Sequence, residues 1–140
     1  MTSTILVGVD GTETAAKAAR TAAGLASGLG ARLVVMTAFD RSEIQNIEIG
    51  SDTWVVSSYD EAEGIARDAA ATLSDLGVEV EVVAGHGKPA DALVEKAREL
   101  DAQLIVVGNR RVQGITRILG SVAASVAHHA PCDVYIVKTV

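Results

Sequence analysis

Short apolar runs alternate with longer stretches of helical period along this chain. The runs Thr4–Val9, Arg32–Phe39, Val78–Ala84, Leu104–Val107 and Asp133–Val137 are rich in Val, Ile and Leu, as strands buried on both faces are. Between them, Glu13–Ser27 places Ala15, Ala16, Ala19, Ala22, Ala23 and Ala26 on a thin apolar stripe, and Gly28 and Gly30 end it. A second helix is expected over Ser58–Leu76, stopped by Gly77. A third opens at Pro89 and continues through Leu93, Val94 and Ala97, since proline suits a first helical turn. A fourth spans Ser121–His129 and is closed by Pro131. Strand–helix alternation of this kind predicts right-handed crossovers. The fold class is therefore α/β: a doubly wound open sheet of five mostly parallel strands with helices on both faces.

Asp40–Ser57 has no clear period but contains Ile44, Ile47, Ile49 and Trp54. It reads as a partly apolar excursion, either a lid or a loop packed on the core. No internal repeat or linker interrupts the rest, so one domain over residues 1–140 is expected.

Composition narrows the picture. Hydrophobic residues make up 49% of the chain and aromatics only 3%, so the core is aliphatic and alanine-rich. The single cysteine, Cys132, cannot form an internal disulfide. No secretory leader or apolar run of about 20 residues is visible, which points to the cytoplasm and away from membranes. A net charge of −6 argues against general nucleic-acid binding. Ala102–Cys132, however, holds Arg110, Arg111 and Arg117 and no acid, a local place for an anion.

Ligands of open α/β sheets sit beyond the carboxyl ends of the strands, where the winding reverses. Two strand ends carry unusual turns: Asp10-Gly11-Thr12 after the first and Gly108-Asn109-Arg110-Arg111 after the fourth. If those strands are neighbours, the turns form one crevice. Gly120-Ser121 opens the last helix, whose N–H groups and dipole favour phosphate. Ser121 is either a donor to that anion or only an N-cap. Asp10 is either an acceptor for a ribose or adenine edge, or the cap of a box answered by Glu13. His86, His128 and His129 lack the partners a protein-held metal site requires, so none is expected. Ser121 with either of the last two histidines forms no credible catalytic set.

Ile5-Leu6-Val7-Gly8-Val9-Asp10-Gly11-Thr12, Val106-Val107-Gly108-Asn109 and Leu119-Gly120-Ser121-Val122 together resemble the universal stress protein family. The tail from Val126 to Val137 is similar to that family's closing helix and strand. The resemblance implies a strand order of 3-2-1-4-5, which makes the first and fourth strands neighbours. Many members hold ATP in the crevice between them. By that pattern the backbone near Val9, Asp10 and Ala38 meets adenine, Gly108 lies by the ribose, and the turn from Arg111 with Gly120, Ser121 and Val122 holds the phosphates. The implied nucleotide-binding set is Val9, Asp10, Ala38, Val107, Gly108, Arg110, Arg111, Gly120, Ser121 and Val122. ATP or another adenine nucleotide is the implied cofactor, with Mg²⁺ carried on its phosphates.

The family's ATP pattern is Gly, two residues, Gly, nine residues, Gly, then Ser or Thr. Here Arg111 replaces the second glycine, and eight residues, Val112–Leu119, precede Gly120. The Arg111 side chain either blocks the phosphate path or clamps the phosphate. Members commonly dimerise through the last strand, here Cys132–Val137, and act in stress survival. Three functions stay open: a nucleotide-binding stress sensor, a nucleotide-free homodimer that works through a protein partner, and a slow ATPase or autophosphorylating protein with no evident general base.

Overall fold

A computed structural model describes residues 3–39, 58–109 and 120–138, together with the backbone of 45–49 and 52–56. The elements in chain order are β1 Thr4–Gly8, α1 Glu13–Leu29, β2 Arg32–Phe39, β3 Gln45–Ile49, β4 Asp52–Val56, α2 Tyr59–Ala71, β5 Val80–His86, α3 Pro89–Leu100, β6 Leu104–Asn109, α4 Ser121–His129 and β7 Asp133–Lys138. The main sheet runs β5-β2-β1-β6-β7, and all four of its pairings are parallel. Numbered within that sheet, the order is 3-2-1-4-5, so β1 and β6 are neighbours.

Alternation along the strands divides the core. Ile5, Val7, Leu33 and Val35 face α1 and α2, where they meet the alanine stripe of α1. Leu6, Val34, Met36 and Ile105 face α3 and α4. Small side chains let the helices approach closely. At Gly8 a Cβ would lie 3.0 Å from both Leu93 methyls of α3, so any larger residue there would need Leu93 to give way by a few tenths of an ångström.

Several boundaries differ from the sequence reading. The aperiodic stretch contains an antiparallel hairpin, β3–β4, with Ile47 opposite Trp54. The second helix stops at Ala71 instead of Leu76. The Thr72 hydroxyl donates to the Ala69 carbonyl at 2.7 Å, Arg20 donates to the Thr72 carbonyl, and Leu73 turns fully into the core. These local bonds compete with the helical ladder, and the chain continues as a 3-10 turn, Ser74–Leu76, ended by Gly77 at φ 67°. β5 is shifted to Val80–His86 because β2 offers it partners as far as Phe39, opposite His86. His86 is therefore a strand residue whose ring packs edge-on against Phe39, with centroids 5.4 Å apart. Among the described residues, no helix is long and apolar enough to cross a membrane.

Candidate functional site

Three adjacent strands, β2, β1 and β6, end at one edge of the sheet. The β1–β2 ladder continues one residue past Gly8, where the Val9 N–H donates to the Met36 carbonyl at 2.8 Å. Gly11 then turns the chain at φ 88°, in the left-handed region that suits glycine. This puts Asp10 at the strand end with only 5% of its surface exposed. Its Oδ1 accepts from the Thr12 N–H at 3.1 Å and from the Thr12 hydroxyl at 2.6 Å. Both bonds use one carboxylate oxygen, which leaves Oδ2 as an acceptor for a ligand.

The capping-box reading of Asp10 does not hold. The N-cap of α1 is Thr12, whose Oγ1 accepts from Ala15 N–H at 3.2 Å. The chain turns at Gly11 before it enters the helix, so the cap falls two residues later than Asp10. Asp10 orients the capping side chain and does not itself cap.

Across the crevice, Val107 is buried at the end of β6 and Gly108 follows it half-buried. Asn109, the last residue of that strand, turns its side chain to the start of α4, where Oδ1 accepts the Gly120 N–H at 2.6 Å. Gly120 is the N-cap of α4 and receives no side-chain cap. Ser121 is the first helical residue, so its hydroxyl is not spent on capping. Val122 is buried in the α3/α4 core, as is Ala38 at the far end of β2. The side chains of Val107, Ala38 and Val122 are thus spent on the core.

The structure thus gathers Val9, Asp10, Ala38, Val107, Gly108, Gly120, Ser121 and Val122 along one edge. Arg110 and Arg111 lie outside the described residues. Asn109 was absent from the sequence-derived set. Its signal was modest: a short carboxamide directly after Gly108 and before a basic run. Near by, Val9, Gly11 and Thr12 with Ile65, Asp68 and Ala69 of α2 also line a cavity of about 240 Å³.

The groups at this edge can accept and donate hydrogen bonds. A buried carboxylate stands at one strand end, a helix start at the next, and backbone groups lie between. No cluster of His, Cys, Asp and Glu suited to a metal occurs among the described residues.

A model of the universal stress protein family matches residues 1–138. The chain belongs to the universal stress protein family. A Staphylococcus aureus (strain USA300) protein whose name places it in the same family is 32% identical over 138 residues, covering 96% of this chain and 83% of its own. A universal stress protein solved in complex with cAMP superposes with a TM-score of 0.75 at 31% identity, over 99% of this chain and 98% of that one. A universal stress protein from Archaeoglobus fulgidus in complex with dAMP gives 0.68 at 26% identity, over 97% and 98%.

Proposed function

We propose that this universal stress protein binds an adenine nucleotide at the carboxyl edge of β1 and β6, with ATP the favoured ligand. Its occupancy is the signal in a stress response. The observation that carries this reading is the placement of Asp10 and the start of α4 on either side of the β1–β6 boundary. That boundary is where the winding of the sheet reverses, the place ligands take in this architecture. Family members of known structure that hold cAMP and dAMP support an adenine ligand.

In this reading the backbone at Val9 and Ala38 meets the adenine edge. Asp10 Oδ2 accepts a ribose hydroxyl near Gly108. The phosphate lies at the N-terminal turn of α4, where Ser121 donates its hydroxyl and the helix dipole favours negative charge. Arg110 and Arg111 contribute positive charge from the segment between β6 and α4, and Mg²⁺ accompanies a triphosphate on its own oxygens. The work is proposed to be binding and not fast catalysis. The protein is proposed to act in the cytoplasm as a single domain.

A second element of the proposal concerns assembly. β7 is an edge strand, paired only with β6 among the described strands, and it exposes Tyr135 by 45%. An open edge of this kind is a template for another strand, and we place a homodimer contact along Cys132–Val137. A nucleotide-free dimer acting on a protein partner is the competing function. Calorimetric titration with ATP, AMP and cAMP, with and without Mg²⁺, separates the two. Saturable binding supports the sensor, and no heat with any of them, on folded nucleotide-free protein, leaves the dimer.

A further inference from the structure

We propose that the outer edge of β5 is a docking site for an extended segment of a partner protein that carries an arginine or lysine, a function separate from nucleotide binding. β5 pairs only with β2 among the described strands, and the β3–β4 hairpin forms a sheet of its own. None of the described strands therefore completes that edge.

The ladder fixes which backbone groups are left over. Leu33 N–H donates to the Glu79 carbonyl at 2.9 Å, and Gly87 N–H donates to the Phe39 carbonyl at 2.8 Å. In a parallel pair, alternate residues turn both backbone groups to the neighbouring strand, so the odd-numbered residues of β5 face β2. Ala84 and His86 direct their N–H and C=O groups away from it. Such a row is the template that a further strand uses.

A cavity of about 270 Å³ lies at these same two residues. Phe39, Tyr59 and His86 line it from the α2 side, and Glu95, Lys96 and Glu99 line it from α3, so it wraps the strand edge. Only 3% of the chain is aromatic, yet its one phenylalanine packs edge-on against Tyr59 at 5.2 Å and against His86 at 5.4 Å. Ring faces and carboxylates together suit a cationic side chain. Glu95 pairs with Arg98 and Glu99 with Lys96, each at 3.1 Å along α3. Exposed pairs of this kind contribute little, so their carboxylates exchange readily to a new cation. A second copy of this chain would bring the same acidic lining and a net charge of −6 to the contact. Charge therefore favours a basic partner over self-association at this edge.

The test titrates the capped peptide acetyl-Val-Thr-Val-Arg-Val-Thr-amide into the full chain, read by amide NMR shifts and calorimetry. Saturable shifts centred on Ala84, His86 and Lys96 are expected. Two further peptides carry N-methyl groups on one or the other alternate set of residues. One of the two should bind about tenfold more weakly than the other, because a single edge of the peptide donates to β5. Replacing the arginine of the peptide by glutamine should weaken binding about five- to tenfold. That difference should shrink to less than about threefold in the Glu95→Gln/Glu99→Gln double variant. The peptide comparisons are all made on the parent chain, so they hold whether or not the variant folds. No saturation up to about 1 mM overturns the proposal, as do shifts centred on β7 or equal binding of the two methylated peptides. Arginine and glutamine peptides of equal affinity remove the basic partner, and N-acetylarginine amide binding as tightly as the peptide removes the strand.

Discussion

Asp10 and Thr12 meet through a 2.6 Å hydrogen bond in which the threonine hydroxyl donates to the carboxylate. That same hydroxyl accepts from Ala15 N–H to cap α1. The candidate ligand acceptor and the start of the helix behind it therefore share one side-chain chain of bonds. Replacing Asp10 by alanine is expected to cost about 1–2 kcal/mol of stability through the loosened cap. It should also lower adenosine affinity about tenfold or more. Urea denaturation and calorimetry on the same preparation measure the two effects separately.

The cap assignment predicts a contrast between two hydroxyl residues. Thr12→Ala removes the cap of α1 and should cost about 1 kcal/mol. Ser121→Ala removes no cap, because Gly120 occupies that position in α4, and its stability should change by less than about 0.5 kcal/mol. AMP affinity should nonetheless fall about three- to tenfold in Ser121→Ala, with adenosine affinity little changed. A large stability loss in Ser121→Ala would mean that the side chain supports α4 instead.

Close approach at Gly8 makes it sensitive to a single methyl. Its added Cβ would press on both Leu93 methyls at 3.0 Å, and Gly8→Ala should destabilise by about 1–3 kcal/mol. Leu93→Ala alone should cost about 2–5 kcal/mol through the cavity it leaves. The double variant should cost less than the two together, because each change relieves the other. Denaturation midpoints of the four proteins give the coupling.

Burial raises the pKa of the Cys132 thiol, the nearby Asp133 charge raises it further, and a hydrogen bond with the Ile105 backbone partly opposes both. The neutral thiol is the favoured form, so alkylation by iodoacetamide near neutral pH should be slower than for free cysteine. Its rate should climb only at more alkaline pH, and Asp133→Asn should move that rise to lower pH. The linked stability has a definite sign. It is fully present below the ordinary thiol range and is lost as pH rises through the raised folded value.

The open edge at β7 is tested by charge. Tyr135→Asp places an acid on its exposed face, and sedimentation should then show monomer where the parent protein sediments as dimer. Equal sedimentation of the two would remove the Cys132–Val137 contact from the proposal.

Much of this protein was legible in its residues. Five strands and four helices follow from local pattern, because Val-rich runs and alanine stripes record burial wherever the rest of the chain lies. Pro89 at the start of α3 and Gly77 after the 3-10 turn carry their own backbone limits. The β3–β4 hairpin was not legible, since Asp40–Ser57 shows no sustained alternation. Nor was the break at Thr72, where a side-chain hydroxyl, a distant arginine and a buried leucine act together. Arg110 and Arg111 were named from their charge and lie outside the described residues.

The local sequence by itself determined the element types, the aliphatic core and the two turns that carry candidate chemistry, because propensity and periodicity act between residues a few positions apart. Its likeness to a known family supplied the strand order as an expectation. Only the tertiary structure decided that Thr12 and not Asp10 caps α1, that Gly8 lies close beneath Leu93, and that Asn109 reaches Gly120. The first depends on which way the chain turns at Gly11. The other two join residues brought together by packing, and no local pattern records a distance across the fold.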